Sequence, residues 1–223
     1  SGIFGIAAFI LHYSPLEKDA RQSNGVATSV AMATYAYFVE KPELLPENAK
    51  VVYVSLGAEN CAHCGSEAFV KSHPEYAGAK VLCIGDIRNG DVKIADGDAV
   101  RKLQYSTDVT SALQASATEQ GISVEVMLHD SLKHKFNSLH GFTSNAFAKN
   151  GNATATLIAR DYSQKDGQLS KEQMEELFTL CVGTFEKLMR RDEHAPKTTE
   201  TPVQEVVNVA PSAEMEIVDV ESK

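Results

Sequence analysis

Apolar positions along the chain fall into short β-branched runs separated by longer stretches at helical spacing. Residues 26–40 place Ala, Met, Tyr and Phe on one face of a 3.6-residue period, which predicts a helix. Pro42 and Pro46 then mark a loop. Residues 50–56 (KVVYVSL) are apolar and β-branched, the pattern of a central strand buried on both faces. Residues 65–72 read as a short helix that stops at His73-Pro74, because a residue before proline is pushed out of helical backbone. Residues 80–84 (KVLCI) predict a second buried strand, residues 91–95 a third, and residues 122–128 and 153–159 two more. Residues 98–119 carry a helical pattern behind a capping residue. The apolar run at residues 3–11 is either a buried strand or the start of a helix, since a short run does not discriminate between them.

The last element is the clearest. Ser170 and Gln173 stand at capping-box spacing, and Leu177, Leu180, Cys181, Phe185 and Leu188 follow at helical intervals. A helix to about Arg190 is expected. Beyond His194 the chain turns to Thr, Pro, Val and Glu with no sustained pattern, so residues 194–223 read as a flexible acidic tail. Residues 1–193 then form one domain. Strands interleaved with helices predict a three-layer α/β/α fold around a mostly parallel central sheet.

Composition narrows the partners. A net charge of −9 over 223 residues argues against nucleic acid, whose phosphates need clustered Lys and Arg. No apolar run approaches the roughly 18 residues that would span a bilayer, so no transmembrane segment is expected in this chain. Cys61 and Cys64 are the only close pair among four cysteines, which is not an extracellular disulfide framework. Cys83 and Cys181 lie in apolar runs, as small buried residues do. A cytoplasmic or membrane-attached soluble domain is the resulting expectation.

Chemistry concentrates at two strand ends. The strand at residues 50–56 runs into Gly57-Ala58-Glu59, and the strand at residues 80–84 runs into Gly85-Asp86. Carboxylates at the carboxyl ends of neighbouring strands occupy the place where open α/β sheets bind ligands. They either share a cation, divide into acid and base, or cap the turns that follow. The stretch VVYVSLGAENCAHCGSEAFVKSHPE resembles the strand–loop–helix of the di-zinc aminopeptidase family, which includes glutamate carboxypeptidase, glutaminyl cyclase and the transferrin receptor ectodomain.

The resemblance implies a zinc-exopeptidase-like fold, with Glu59 as the catalytic general base and Asp86 as a metal ligand. It also implies losses. The family's second acid falls on Asn60, and its late loop, at Gly141 to Phe147 here, has Ser144 and Asn145 where that loop commonly supplies Asp and sometimes His. At the amino-terminal end two registers stay open. In one, His12-Tyr13-Ser14 is the first ligand motif, with His12 as a metal ligand and Arg21 at the bridging acid. In the other, Ser1-Gly2 ends the second motif and the earlier part is missing. Two zinc ions carry four positive charges and need several anionic or imidazole ligands, so the neutral Asn60 and a cationic Arg21 both work against them.

The function expected from this reading is a catalytically inactive aminopeptidase-like domain that binds a peptide or protein partner, with no cofactor, or zinc if it is active. The first alternative is an active metal-dependent aminopeptidase with a reduced site. The second takes Cys61-Ala62-His63-Cys64, between a strand and a helix, as a redox dithiol or an improvised metal site using His63. His129, His134 and His140 do not share a helical face at metal-binding spacing, and residues 161–172 only superficially match a calcium loop. Asn152-Ala153-Thr154 is a glycosylation sequon that precedes a predicted buried strand.

Overall fold

A computed structural model describes residues 20–47, 49–56, 63–87, 90–129, 142–159, 169–193 and 218–220. In chain order the elements are α1 (Ala20–Glu40), β1 (Val54–Leu56), α2 (Cys64–Ser72), β2 (Lys80–Ile87), β3 (Val92–Ala95), β4 (Gly97–Asp98), β5 (Leu103–Gln104), α3 (Thr107–Gln120), β6 (Glu125–Met127), α4 (Ser144–Lys149), β7 (Ala153–Ala159), α5 (Lys171–Glu193) and β8 (Val218–Val220). Short 3-10 turns follow α1 and α2, each begun by the proline that stops the helix.

A four-stranded sheet in the order β2-β7-β3-β6 forms the centre. β2 runs parallel to β7 and β3 parallel to β6, while β3 and β7 are antiparallel. The sheet is therefore mostly parallel, with one reversal in the middle. β4 and β5 make a small hairpin, and β1 pairs in parallel with β8.

Strand alternation explains the layers, because successive side chains point to opposite faces. Ala155, Leu157 and Ala159 of β7 join Ile94 of β3 in the main core, which Ala27 and Val30 of α1, Leu113 of α3 and Leu180 of α5 complete. The intervening Thr154 and Thr156 face the other way, as does Cys83, which is paired with Thr156. Phe69 of α2 and Phe147 of α4 cover Cys83 on that second face. Helices α1, α3 and α5 thus lie on one face, and α2 and α4 on the other.

Local signals account for the boundaries. The expected capping box is present: Ser170 N donates to Gln173 Oε1 at 3.0 Å and Gln173 N to Ser170 Oγ at 3.2 Å. Helix α3 ends at Gly121, whose φ of 69° is the left-handed C-cap conformation glycine adopts at least cost. Its buried positions, Val109, Ala112, Leu113, Ser116 and Ala117, keep helical spacing.

Two expectations need correction. The helix predicted from Asp98 begins nine residues later, at Thr107 behind the N-cap Ser106. Asp98 instead ends β4, and its Oδ1 accepts from the backbone N–H of Val100 and Arg101, closing the turn that feeds β5. Of the strand expected over residues 50–56, residues 54–56 form β1, which among the described residues pairs with β8, Val54 standing opposite Val218. The stretch read as a tail lies outside the described residues apart from β8.

Candidate functional site

The residues that the resemblance marked for chemistry are unevenly described. Glu59, Asn60, Cys61, His12 and Arg21 lie outside the residues whose side chains are placed. Asp86 lies near the carboxyl end of β2, where the register with β7 slips between Ile84 and Ile87. Such a bulge bends the strand and changes which way the following residues face.

Ser144 and Asn145 are fully placed. They open α4, a six-residue helix in what the sequence showed as a loop, and both are buried. Ser144 Oγ and Thr156 Oγ1 share a hydrogen bond of 2.6 Å, and Thr154 Oγ1 donates to Ser144 Oγ at 3.2 Å. The serine is thereby tied to the second face of β7. Thr156 pairs with Cys83, three residues before Asp86, so Ser144 is tied to the sheet about 10 Å along β2 from the position of Asp86.

Asn145 sits in a separate network that sequence reasoning did not foresee. Its Nδ2 donates to Asp98 Oδ2 at 2.7 Å, and its Oδ1 accepts from the Tyr105 hydroxyl at 2.7 Å. Asp98 Oδ2 also receives Arg101 Nη1 at 2.9 Å. Asp98 is wholly buried while the guanidinium reaches solvent. With the two backbone donors, the carboxylate accepts four hydrogen bonds, about as many as its lone pairs allow. Burial, and then the Asp98 charge, push the Tyr105 phenol far above its ordinary range, so it stays a donor at any working pH. The available signal was the Asp-Gly-Asp at residues 96–98, a turn signature directly after a predicted strand.

The neighbouring Asp96 closes the carboxyl ends of β3 and β6. Its Oδ1 accepts from His129 N at 2.7 Å and lies 3.5 Å from His129 Nδ1. His134 and His140 are outside the described residues.

Other candidates resolve simply. Cys64 is exposed at the first position of α2, and His63 before it has a left-handed φ of 62°. Cys181 is buried, and that burial pushes its thiol up to about 12, which makes it inert. Asn152 is buried, and its Nδ2 donates to the carbonyls of Tyr76 and Ala79 at 2.8 and 3.0 Å, so the sequon is spent on holding a turn.

A two-zinc centre can be tested against the donors in place. Among the described residues, no three His, Cys, Asp or Glu side chains gather as a metal-binding group. The late loop offers a hydroxyl bonded to sheet threonines and an amide locked between a phenol and a carboxylate, neither of which replaces an anionic ligand. No helix among the described residues is long and apolar enough to cross a membrane.

Comparison with known proteins adds little to this geometry. No protein-family model and no curated protein matches the chain. Among solved structures it is similar to BSAP, a zinc aminopeptidase from Bacillus subtilis, with 13% identity and a TM-score of 0.41. That likeness covers 59% of this chain and 34% of the enzyme, so the chain spans about a third of its length.

Proposed function

We propose that this chain is a zinc-aminopeptidase-like α/β domain that does not perform two-metal hydrolysis and binds a peptide or protein partner at the carboxyl ends of its strands. The supporting observation is the state of the late loop. Ser144 and Asn145 stand where ligand-type residues are common, and their hydrogen bonds commit both to the interior. Asn60 points the same way in sequence. Glu59 retains the residue type of a general base, but a base needs a polarised water to act on.

Metal analysis of the purified chain, combined with an aminoacyl-anilide hydrolysis assay, tests this reading. The expected result is zinc well below stoichiometric, no turnover above the uncatalysed rate, and no difference between the wild type and Glu59→Gln. About one or more zinc ions per chain, with turnover that Glu59→Gln abolishes, would overturn it in favour of a working aminopeptidase with a reduced site.

A further inference from the structure

We infer that the buried charge of Asp98 sets the direction of a hydrogen-bonded chain that runs through Asn145, Tyr105, Thr156, Ser144 and Thr154 to Cys83. The chain straps the β4–β5 hairpin and α4 to the sheet as one unit. The hydroxyls around Ser144 and the amide beside Asp98 are joined by one further bond, between Thr156 and the Tyr105 hydroxyl. All seven residues are buried, so each proton falls to a neighbour in the chain and not to bulk water.

The direction follows from the one member that only accepts. The Asp98 carboxylate takes four hydrogen bonds, so Asn145 must turn its Nδ2 towards Oδ2, at 2.7 Å. The Asn145 Oδ1 then faces Tyr105. An amide oxygen cannot donate, so the single phenol proton is spent on it, at 2.7 Å. The phenol oxygen keeps only lone pairs for Thr156, which therefore donates to it. That spends the Thr156 proton, so Ser144 is the donor in the 2.6 Å bond between the two. Ser144 is left to accept from Thr154, and the 3.2 Å bond between them has that direction on its own geometry. Thr154 in turn has only lone pairs to offer Cys83 Sγ at 4.0 Å, so the thiol donates.

Every donor in the chain thus points towards one buried charge, and bonds aligned in this way polarise one another. Reversing the chain would set Asn145 Oδ1 against Asp98 Oδ2, two acceptors in place of a charge-assisted bond. No hydroxyl can turn alone, because its neighbours would then meet donor to donor or acceptor to acceptor. Asp98 comes from β4, Tyr105 directly follows β5, Ser144 and Asn145 open α4, and Cys83, Thr154 and Thr156 belong to β2 and β7. A change at the hairpin is therefore carried across α4 to a thiol that the hairpin carboxylate does not bond. This ordering holds whether or not the functional proposal does.

The infrared S–H stretching band of Cys83 tests it, isolated by subtracting the spectrum of Cys83→Ala from that of the wild type. A donating thiol absorbs at lower wavenumber than one that does not donate, and the wild-type band should lie low. Asp98→Asn removes the charge, so the Asn145 amide turns over and each hydroxyl reverses. Thr154 then donates to Cys83 Sγ, and the band should move to higher wavenumber. Tyr105→Phe removes the acceptor of the Thr156 proton and should shift the band the same way. Ser170→Ala, which weakens α5 away from the chain, should leave it in place. In Asp98→Asn, amide exchange should also rise roughly tenfold in residues 97–105 and 144–149 together, while residues 171–190 stay protected. A wild-type band at the position of a non-donating thiol would overturn the inference, as would a band unmoved in Asp98→Asn. Where that variant does not fold, the band in Tyr105→Phe decides in its place. An equal shift in Ser170→Ala, or faster exchange in residues 97–105 with residues 144–149 unchanged, would also overturn it.

Discussion

Asn145→Asp sets a second carboxyl against the buried Asp98, and the geometry predicts what it costs. Asn145 Nδ2 donates to Asp98 Oδ2 across 2.7 Å in a site where Asp98 is fully buried. The substitution exchanges that donor for an oxygen, so two carboxylates would meet at hydrogen-bond distance. Like charges at this range cannot both stay ionised, and the pair escapes by holding one proton, which then bridges the two oxygens. The cost is set by taking up that proton. With an unfolded aspartate near 3.9 and about 1.36 kcal/mol per pH unit, it is roughly 4 kcal/mol at pH 7 and roughly 1.5 kcal/mol at pH 5. The sign follows from linkage: the folded variant binds a proton that the unfolded chain has released. Its deficit therefore grows as pH rises above the unfolded value, until the folded pair itself ionises. Urea titrations of wild type and variant from about pH 5 to pH 7.5 should give a stability difference that widens by about 1.4 kcal/mol per unit. A difference that is flat with pH, or under about 0.5 kcal/mol at pH 7, would refute the buried pairing of residues 98 and 145.

Two further substitutions probe the helical layer. A Cβ on Gly183 would collide with Ser116 Oγ and Gln120 Nε2, so Gly183→Ala must displace these two groups, which bond the carbonyls of Leu180 and Thr179, and should cost about 1–2 kcal/mol in denaturant unfolding. Adding Ser116→Gly should recover part of that loss, and no recovery would mean the close approach is not its cause. Ser170→Ala removes one half of the capping box at α5 and should cost about 1 kcal/mol in the same assay, while an unchanged midpoint would deny the cap its role.

The elements most legible in the sequence were those whose ends are written locally. Ser170 and Gln173 marked the start of α5, and the β-branched run at residues 153–159 matched β7 residue for residue. What misled was periodicity without a stop signal. Residues 98–106 scan as the first turns of a helix, but Asp98 spends its carboxylate on the turn and on Asn145, a partner 47 residues away. Lys102 completes the break with a φ of 53°, outside helical backbone. The reversal between β3 and β7 was equally hidden, because strand direction depends on which strand lies alongside and not on the strand's own composition.

The same non-locality decides how the candidate site is read. An acid at a strand end offers chemistry only if lone pairs remain for a substrate proton or a cation. At Asp98, none remain. Two backbone N–H groups, a guanidinium and an amide fill the carboxylate, and the amide is held from behind by a phenol that burial keeps protonated. Exchanging Asn145 for an acid would break that arrangement, whereas asparagine satisfies both neighbours at once. The neutral residue at 145 is thus matched to the carboxylate facing it.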